Sequence, residues 1–238
     1  PDAGLRKALP FNDSVKQRGL GNPGSGLFDR DPVYNPNNLS GLGDYWHVSF
    51  EMQMRLIARY RELANREMRL RRYRRAAYIF AELLSDYPSA ARALEAGGFF
   101  LEAAALFRDH LLQPLEAASC LERGGLIHQA IEIYVEEMEY ESAARLYAQI
   151  DQHDTARDFW SRAIDKACQQ ERFIDAARIA QVELHDDEFT LSLLATGWTS
   201  QSKEARNCLA EWIELSGSLG NHDAVSRRIE SLKALRTH

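Results

Sequence analysis

The chain has 238 residues, of which 45% are apolar and 27% are charged, and its formal net charge is −6. This apolar fraction excludes wholesale disorder, because a disordered chain has too few apolar residues to form a core. No run of residues approaches the roughly eighteen apolar positions of a membrane span, and no signal-peptide pattern opens the chain. The three cysteines, Cys120, Cys168 and Cys208, show no metal or redox spacing and are expected to be buried thiols in a reducing compartment. Together these observations predict a cytoplasmic protein without a membrane span.

The charge is distributed unevenly along the chain. Residues 1–44 are neutral, since five acidic and five basic residues cancel there. Residues 45–75 carry nine arginines against three glutamates, which gives +6, and residues 76–238 carry 15 basic and 27 acidic residues, which gives −12. The mildly acidic average therefore hides a neutral arm, a basic segment and a strongly acidic body.

The arm, residues 1–44, holds seven of the fourteen glycines and five of the seven prolines. This composition predicts irregular structure with short turns. The arm also contains too many apolar side chains, among them Phe11, Phe28 and Tyr34, to be only a spacer. We therefore expect it to pack either on its own helical domain or on a neighbouring subunit, and the second arrangement would give a homo-oligomer.

A helical pattern begins after the arm. Asp44 can cap a helix that runs from about Tyr45 through the basic segment. Apolar residues recur at spacings of three and four along this helix and predict its buried face. They are Met54, Ile57, Tyr60, Leu63, Ala64, Met68 and Leu70. Leu70, Tyr73, Ala76 and Ala77 are expected to face the core.

Two copies of a repeated unit follow, over residues 88–107 and 114–134, with a period of 27. Both contain, in order, a proline, paired alanines, Leu-Glu, paired glycines, two apolar residues, an alanine and an aromatic residue. Proline suits the first position of a helix, and alanines let neighbouring helices approach closely. Glycines permit the positive φ that ends one helix and turns into the next.

Anchor positions of this pattern continue along the chain at steps of 13 or 14 residues. They are Phe80, Leu94, Phe107, Leu121, Tyr134, Tyr147 and Trp160. Each step equals one short helix and a tight turn, so the sequence predicts an all-α fold, a right-handed superhelical stack of short antiparallel helix pairs. The expected regions are the irregular arm (1–44), a helical repeat domain that opens with the basic helix (45–185) and capping helices of the same stack (186–238).

The capping region has its own start and stop signals. Asp186 or Asp187 can cap one helix, which Gly197 is expected to end. Ser200 or Ser202 is expected to open another helix, which Gly217 would end, and Asn221 begins a last one.

The Leu-x-x-Gly and Ala-x-x-Phe/Tyr pattern, as at Leu94 to Gly97 and Leu121 to Gly124, resembles the tetratricopeptide-like class of helical hairpin repeats. The resemblance covers about residues 73–185. The units are 26–27 residues long, whereas that family's usual length is about 34. The shorter units are more similar to the short-helix solenoids of trafficking and scaffold proteins. The resemblance implies a non-enzymatic scaffold or adaptor that binds a protein partner within a larger assembly.

No catalytic, cofactor or metal constellation is visible in the sequence. The string Gly19–Gly24 matches G-x-G-x-x-G, but no strand precedes it, no helix follows it and Pro23 lies inside it. No His-x-x-x-His pair, nucleophile elbow or Ser-His-Asp order is present, and the acidic run His185–Glu188 is interpreted as a solvated helix start. We therefore expect no enzyme activity, no cofactor and no metal ion.

The arginine cluster at the start of the body is the sharpest candidate binding site. Its members are Arg66, Arg69, Arg71, Arg72, Tyr73, Arg74 and Arg75. The arginines could pair with the acidic body or a neighbouring subunit, bind an acidic protein or membrane surface, or track phosphates while Tyr73 stacks on a base. The leading function is a protein-binding scaffold. The alternatives are a nucleic-acid-binding helical protein that uses residues 66–75, and an accessory subunit of a multi-protein enzyme or ATPase system.

Overall fold

A computed structural model describes residues 50–200, 203–220 and 227 of the chain. The secondary structure of these residues is helical, with eleven α-helices and no strand among them. The all-α prediction is therefore confirmed. The arm, the helix start expected at Tyr45 and the last helix expected from Asn221 lie outside the described ranges.

The helices follow one another with short turns between them. They are α1 Phe50–Arg69, α2 Tyr73–Tyr78, α3 Tyr87–Ala96, α4 Phe100–Asp109, α5 Pro114–Arg123, α6 Ile127–Glu136, α7 Tyr140–Gln149, α8 His153–Gln169, α9 Phe173–Val182, α10 Asp187–Thr199 and α11 Ala205–Ser218. Helix α2 continues directly as a π-helix over Ile79–Leu83. Six of the helices are ten residues long, about three turns each, which matches the step that the anchor positions predict.

The chain divides into two compact units, Pro1–Ile133 and Tyr134–His238, with the boundary inside α6. In the first unit, helices α1 to α5 pack consecutively, each on the next. In the second unit, helices α7 to α11 do the same. The three regions predicted from the sequence stay a prediction.

Paired alanines are fully buried in each unit. In the first unit Ala76, Ala77, Ala90 and Ala91 have no exposed surface. In the second unit the equivalent pair Ala143 and Ala144 is also fully buried. Small side chains at these positions let the helix backbones approach, and the larger anchor side chains fill the remaining space.

Each turn from the end of α1 to the start of α10 contains one residue with positive φ. These residues are Arg71, Ser85, Gly98, Leu112, Gly125, Met138, Asp151, Glu171 and His185. Only two of the nine are glycines, although the left-handed conformation costs other residues roughly 1–2 kcal/mol. The tight turn itself, rather than the glycine, is therefore the repeated feature.

The hydrogen bonds of these turns explain the alternation of 13 and 14 residues. The step is the distance in sequence between the positive-φ residues of consecutive turns. In a turn that ends a step of 13, the residue after the positive-φ position donates its N–H to the carbonyl five residues earlier, as Phe99 does to Leu94 at 2.9 Å. In a turn that ends a step of 14, the same N–H binds the carbonyl six residues earlier, as Gln113 does with Phe107 at 2.8 Å. The wider turn thus absorbs the extra residue, and one turn of each kind gives the period of 27.

The two glycines of each pair in the repeat have different structural roles. Gly98 and Gly125 have φ values of 77° and 73° and supply the predicted left-handed turn. Gly97 and Gly124 have φ values of −89° and −79°, which any residue can adopt. The first glycine of each pair is therefore not needed for its backbone conformation.

Close approach of an aromatic residue explains these other glycines. A Cβ atom on Gly97 would lie 2.7 Å from the Cβ of Tyr73, and one on Gly124 would lie 2.7 Å from the Cβ of Phe100. In each case the aromatic residue is 24 positions earlier and is the first residue of its helix. The glycine provides the gap into which that aromatic residue packs.

Two helix ends expected in the capping region are wrong. Gly197 lies inside α10 and Gly217 lies inside α11. At Gly197 a Cβ would lie 2.6 Å from the Cβ of Phe173, which is again 24 positions earlier, so this glycine serves close packing and does not end the helix. The predicted cap at Asp186 is confirmed, since its Oδ1 accepts a hydrogen bond from the N–H of Phe189 at 2.8 Å.

Candidate interaction surface

Helix α1 is twice as long as most of its neighbours, with 20 residues and a length of roughly 30 Å. Its buried side consists of Tyr60, Ala64 and Glu67. The expected apolar face is therefore only partly correct, because Met54 is 51% exposed and Leu70 is 49% exposed. The carboxylate of Glu67 occupies a core position that the predicted apolar face did not include.

The buried carboxylate of Glu67 is neutralised by two arginines from the next turn and helix. The Nε of Arg75 lies 3.4 Å from Glu67 Oε2, and Nη1 of Arg72 lies 3.7 Å from the same oxygen. The Glu67 side chain is only 3% exposed, and a buried carboxylate is unfavourable unless a positive charge lies close to it. Arg72 and Arg75 thus serve the junction between α1 and α2.

Arg74 is engaged within the first unit as well. Its guanidinium binds both carboxylate oxygens of Glu102 on α4, with 3.1 Å between Nε and Oε2. The same guanidinium lies 4.2 Å from the ring centre of Phe99, a cation–π contact. Tyr73, beside it, is half-buried as the first residue of α2 and packs its Cβ against Gly97.

Four other arginines of this segment are exposed, and none of them forms an ion pair with any residue that the structure describes. They are Arg61, Arg66 and Arg69 of α1 and Arg71 of the turn that follows, and we call the four together the basic face of α1. Two exposed arginines nearer the start of α1 have partners on the same helix, since Arg55 pairs with Glu51 at 2.7 Å and Arg59 with Glu62 at 2.8 Å. These neighbouring pairs are solvated and readily exchanged.

Large apolar side chains are exposed on α1 and in the turn that follows it. Leu70 is 49% exposed and stands between Arg69 and Arg71. Met52 and Met54, near the start of α1, are also more than half exposed. An exposed surface that combines arginines with large apolar side chains has the composition of a protein-binding patch.

The predicted site residues therefore fall into two sets. Arg72, Arg74 and Arg75 are paired within the first unit, while Arg66, Arg69 and Arg71 are exposed on the basic face. Arg61 belongs to the basic face but not to the site predicted from the sequence. Its spacing of eight residues from Arg69, little more than two helical turns, was the signal that could have found it.

A groove of about 300 Å³ lies at the turn edge of the first unit, beside Arg74. Its walls include Phe99, Phe100, Leu101 and Leu126, and Leu101 is 58% exposed. The size and lining suit an apolar side chain rather than a polar small molecule.

The cysteines are free thiols placed for packing. Cys120 is buried, and burial together with the nearby Glu95 raises the pKa of its thiol to about 12. Its Sγ donates to the carbonyl of Phe100 at 3.6 Å. Burial also raises the pKa of Cys208 and of the half-buried Cys168. A thiol held protonated is a poor nucleophile, so this chemistry fits a packing role.

Within the described ranges, no group of three or more histidine, cysteine or acidic side chains is arranged to hold a metal ion. Among the helices described, none combines the length and apolar character that crossing a membrane requires. No protein-family model matches the chain, and neither a curated protein nor a solved structure matches it. The site must therefore be interpreted from its own geometry.

Proposed function

We propose that this protein is a non-enzymatic protein-interaction scaffold or adaptor in a cytoplasmic assembly, and that the basic face of α1 binds an acidic segment of a protein partner. The consecutive packing of short helices and the tetratricopeptide-like sequence pattern support a helical-repeat scaffold. Repeat stacks present extended surfaces, and their function is usually to bind other proteins.

The observation that carries this proposal is the division of the arginines. Three of them form ion pairs with acidic groups of their own unit, whereas the four of the basic face have no ion pair within the described part of the chain. Their guanidinium groups remain available, and each can bind a carboxylate with two parallel hydrogen bonds. Charge complementarity of this kind directs a partner and speeds its association.

One feature favours a protein partner over a nucleic acid at this surface. Leu70 and Met54 are about half exposed, and large apolar side chains among arginines match an apolar contact at a protein interface.

Affinity capture from a cell extract tests the proposal with a matched pair of variants. We expect Arg66→Glu/Arg69→Glu to lose the proteins that the unaltered chain retains at low salt, because charge reversal repels an acidic segment. The control is Arg157→Glu/Arg206→Glu, which makes the same charge change at two exposed arginines of α8 and α11 that lack ion pairs among the described residues. The control should retain the same proteins.

Equal capture by both variants would contradict the proposal. So would the recovery of nucleic acid in place of protein, with binding that weakens steeply as salt increases, since that result supports the nucleic-acid alternative.

A further inference from the structure

The basic face of α1 has a complementary surface on the same chain. Glu132, Glu136 and Glu137, at the end of α6, are exposed, and none of them forms an ion pair with a described residue. We call these three residues the acidic end. The neighbouring Glu139 and Glu141 differ, because they pair with Lys166 at 3.2 Å and with Arg178 at 2.8 Å.

The acidic end lies where acidic residues are unfavourable. Glu132 and Glu136 are four positions apart on one helix, so their like charges repel. Glu136 is the last residue of α6 and Glu137 follows it, and the C-terminal end of a helix carries a partial negative charge. An external positive group would relieve both kinds of repulsion.

Both surfaces carry an exposed apolar side chain next to a charged residue in the sequence. On the basic face it is Leu70, between Arg69 and Arg71. At the acidic end it is Met138, which directly follows Glu137, is 57% exposed and has a positive φ of 57°. Protein interfaces commonly place apolar contacts at the centre and charged groups around them.

We infer that the basic face of α1 docks on the acidic end of α6 in a second copy of this chain. This inference rests on the proposed function and names the partner of the same surface. Four arginines meet three glutamates around a contact between Leu70 and Met138. Every copy carries both surfaces, and a pair of chains that makes the contact twice is a symmetric dimer.

Light scattering of the full chain during size-exclusion chromatography tests the inference. The expected result is a mass of two chains at low salt that decreases to one chain at about 1 M salt, where the Debye length is only about 3 Å. Arg66→Glu/Arg69→Glu should weaken the self-association at least about tenfold, and so should Glu136→Arg/Glu137→Arg. The control variant Arg157→Glu/Arg206→Glu should keep the mass of two chains.

A charge exchange between copies gives the sharpest outcome. When the two reversed variants are mixed, each contact again joins opposite charges, and we expect a mixed dimer to form. Its formation also demonstrates that both variants are folded. Arg66→Gln/Arg69→Gln, which removes charge without reversing it, should weaken association by a smaller factor.

A chain that remains monomeric at every salt and protein concentration overturns the inference. A dimer whose self-association is unchanged in both charge-reversal variants overturns it as well. If the chain is monomeric and Arg66→Glu/Arg69→Glu still abolishes capture of another protein, the inference fails while the proposed function stands. If the dimer forms by charge exchange and no other protein depends on the basic face, the inference stands and the wider scaffold proposal fails.

Discussion

At the scale of single residues, the glycines show how one residue type performs two different tasks in this fold. Gly125 supplies a backbone conformation, with φ at 73° and open space where a side chain would lie. Gly124 has an ordinary φ of −79°, but a Cβ there would lie 2.5 Å from the ring of Phe100. The physical cost of a side chain is therefore torsional strain at one position and steric overlap at the other.

Alanine substitutions at three glycines separate these costs. Gly124→Ala should destabilise the protein by about 2–3 kcal/mol, because the Phe100 side chain must move. Gly125→Ala should cost about 1 kcal/mol through its left-handed φ. Gly217→Ala, inside α11 with no atom within 4 Å of the new Cβ, should stabilise by about 0.5–1 kcal/mol.

Urea unfolding followed by circular dichroism measures these effects as shifts of the transition midpoint. If Gly125→Ala proves more harmful than Gly124→Ala, the packing role assigned to the first glycine of each pair is wrong.

At the scale of the elements, the junction of α1 and α2 is held by charge as well as by apolar packing. The N–H of Arg72 donates to the carbonyl of Glu67 at 2.9 Å, and Arg71 occupies the left-handed turn position. The side chains of Arg72 and Arg75 then lie near the Glu67 carboxylate. One glutamate therefore contributes backbone and side-chain contacts to the same turn.

Neutralising this carboxylate should be costly. We expect Glu67→Gln to destabilise the protein by about 3 kcal/mol, because the substitution removes the charge of a buried ion pair with Arg75, which is only 18% exposed. Glu62→Gln is the control, since it removes a carboxylate from an exposed pair and should cost less than about 0.5 kcal/mol. The thermal or urea midpoint checks both, and similar small effects in the two variants would mean that the buried pair contributes little.

At the scale of the whole molecule, the repeat was predictable because helix length and turn geometry impose a period on the sequence. Leu94, Leu121 and Trp160 occupy anchor positions and are 6% exposed or less. The buried side of α1 was not predictable in the same way, because Glu67 belongs to the core only through arginines of the following turn and helix. The spacing of apolar residues along α1 does not indicate that arginines pair with Glu67.

The candidate site shows the same limit. The string of arginines from Arg66 to Arg75 is obvious in the sequence, but its division into paired and available residues depends on distant partners. Arg74 is paired with Glu102, 28 positions away, through a contact that forms only when α4 packs near α2. Sequence reasoning could therefore locate the site without identifying the arginines that are free to bind a partner.

The net charge of −6 is also the sum of opposite charges that lie in different regions of the chain. The exposed arginines of α1 and the exposed glutamates at the end of α6 remain uncompensated among the described residues. Such charges keep a chain dispersed when they meet only solvent and direct association when they meet their opposites.

Arginine footprinting of the full chain tests the central claim most directly, by measuring the modification rate of each arginine with a dicarbonyl reagent, before and after partner binding. We predict that Arg61, Arg66, Arg69 and Arg71 react rapidly in the monomeric chain at about 1 M salt and become protected in the complex at low salt, while Arg74 and Arg75 react slowly in both. Protection confined to other arginines, or no change in the rates of the basic face on binding, would contradict the assignment of this surface.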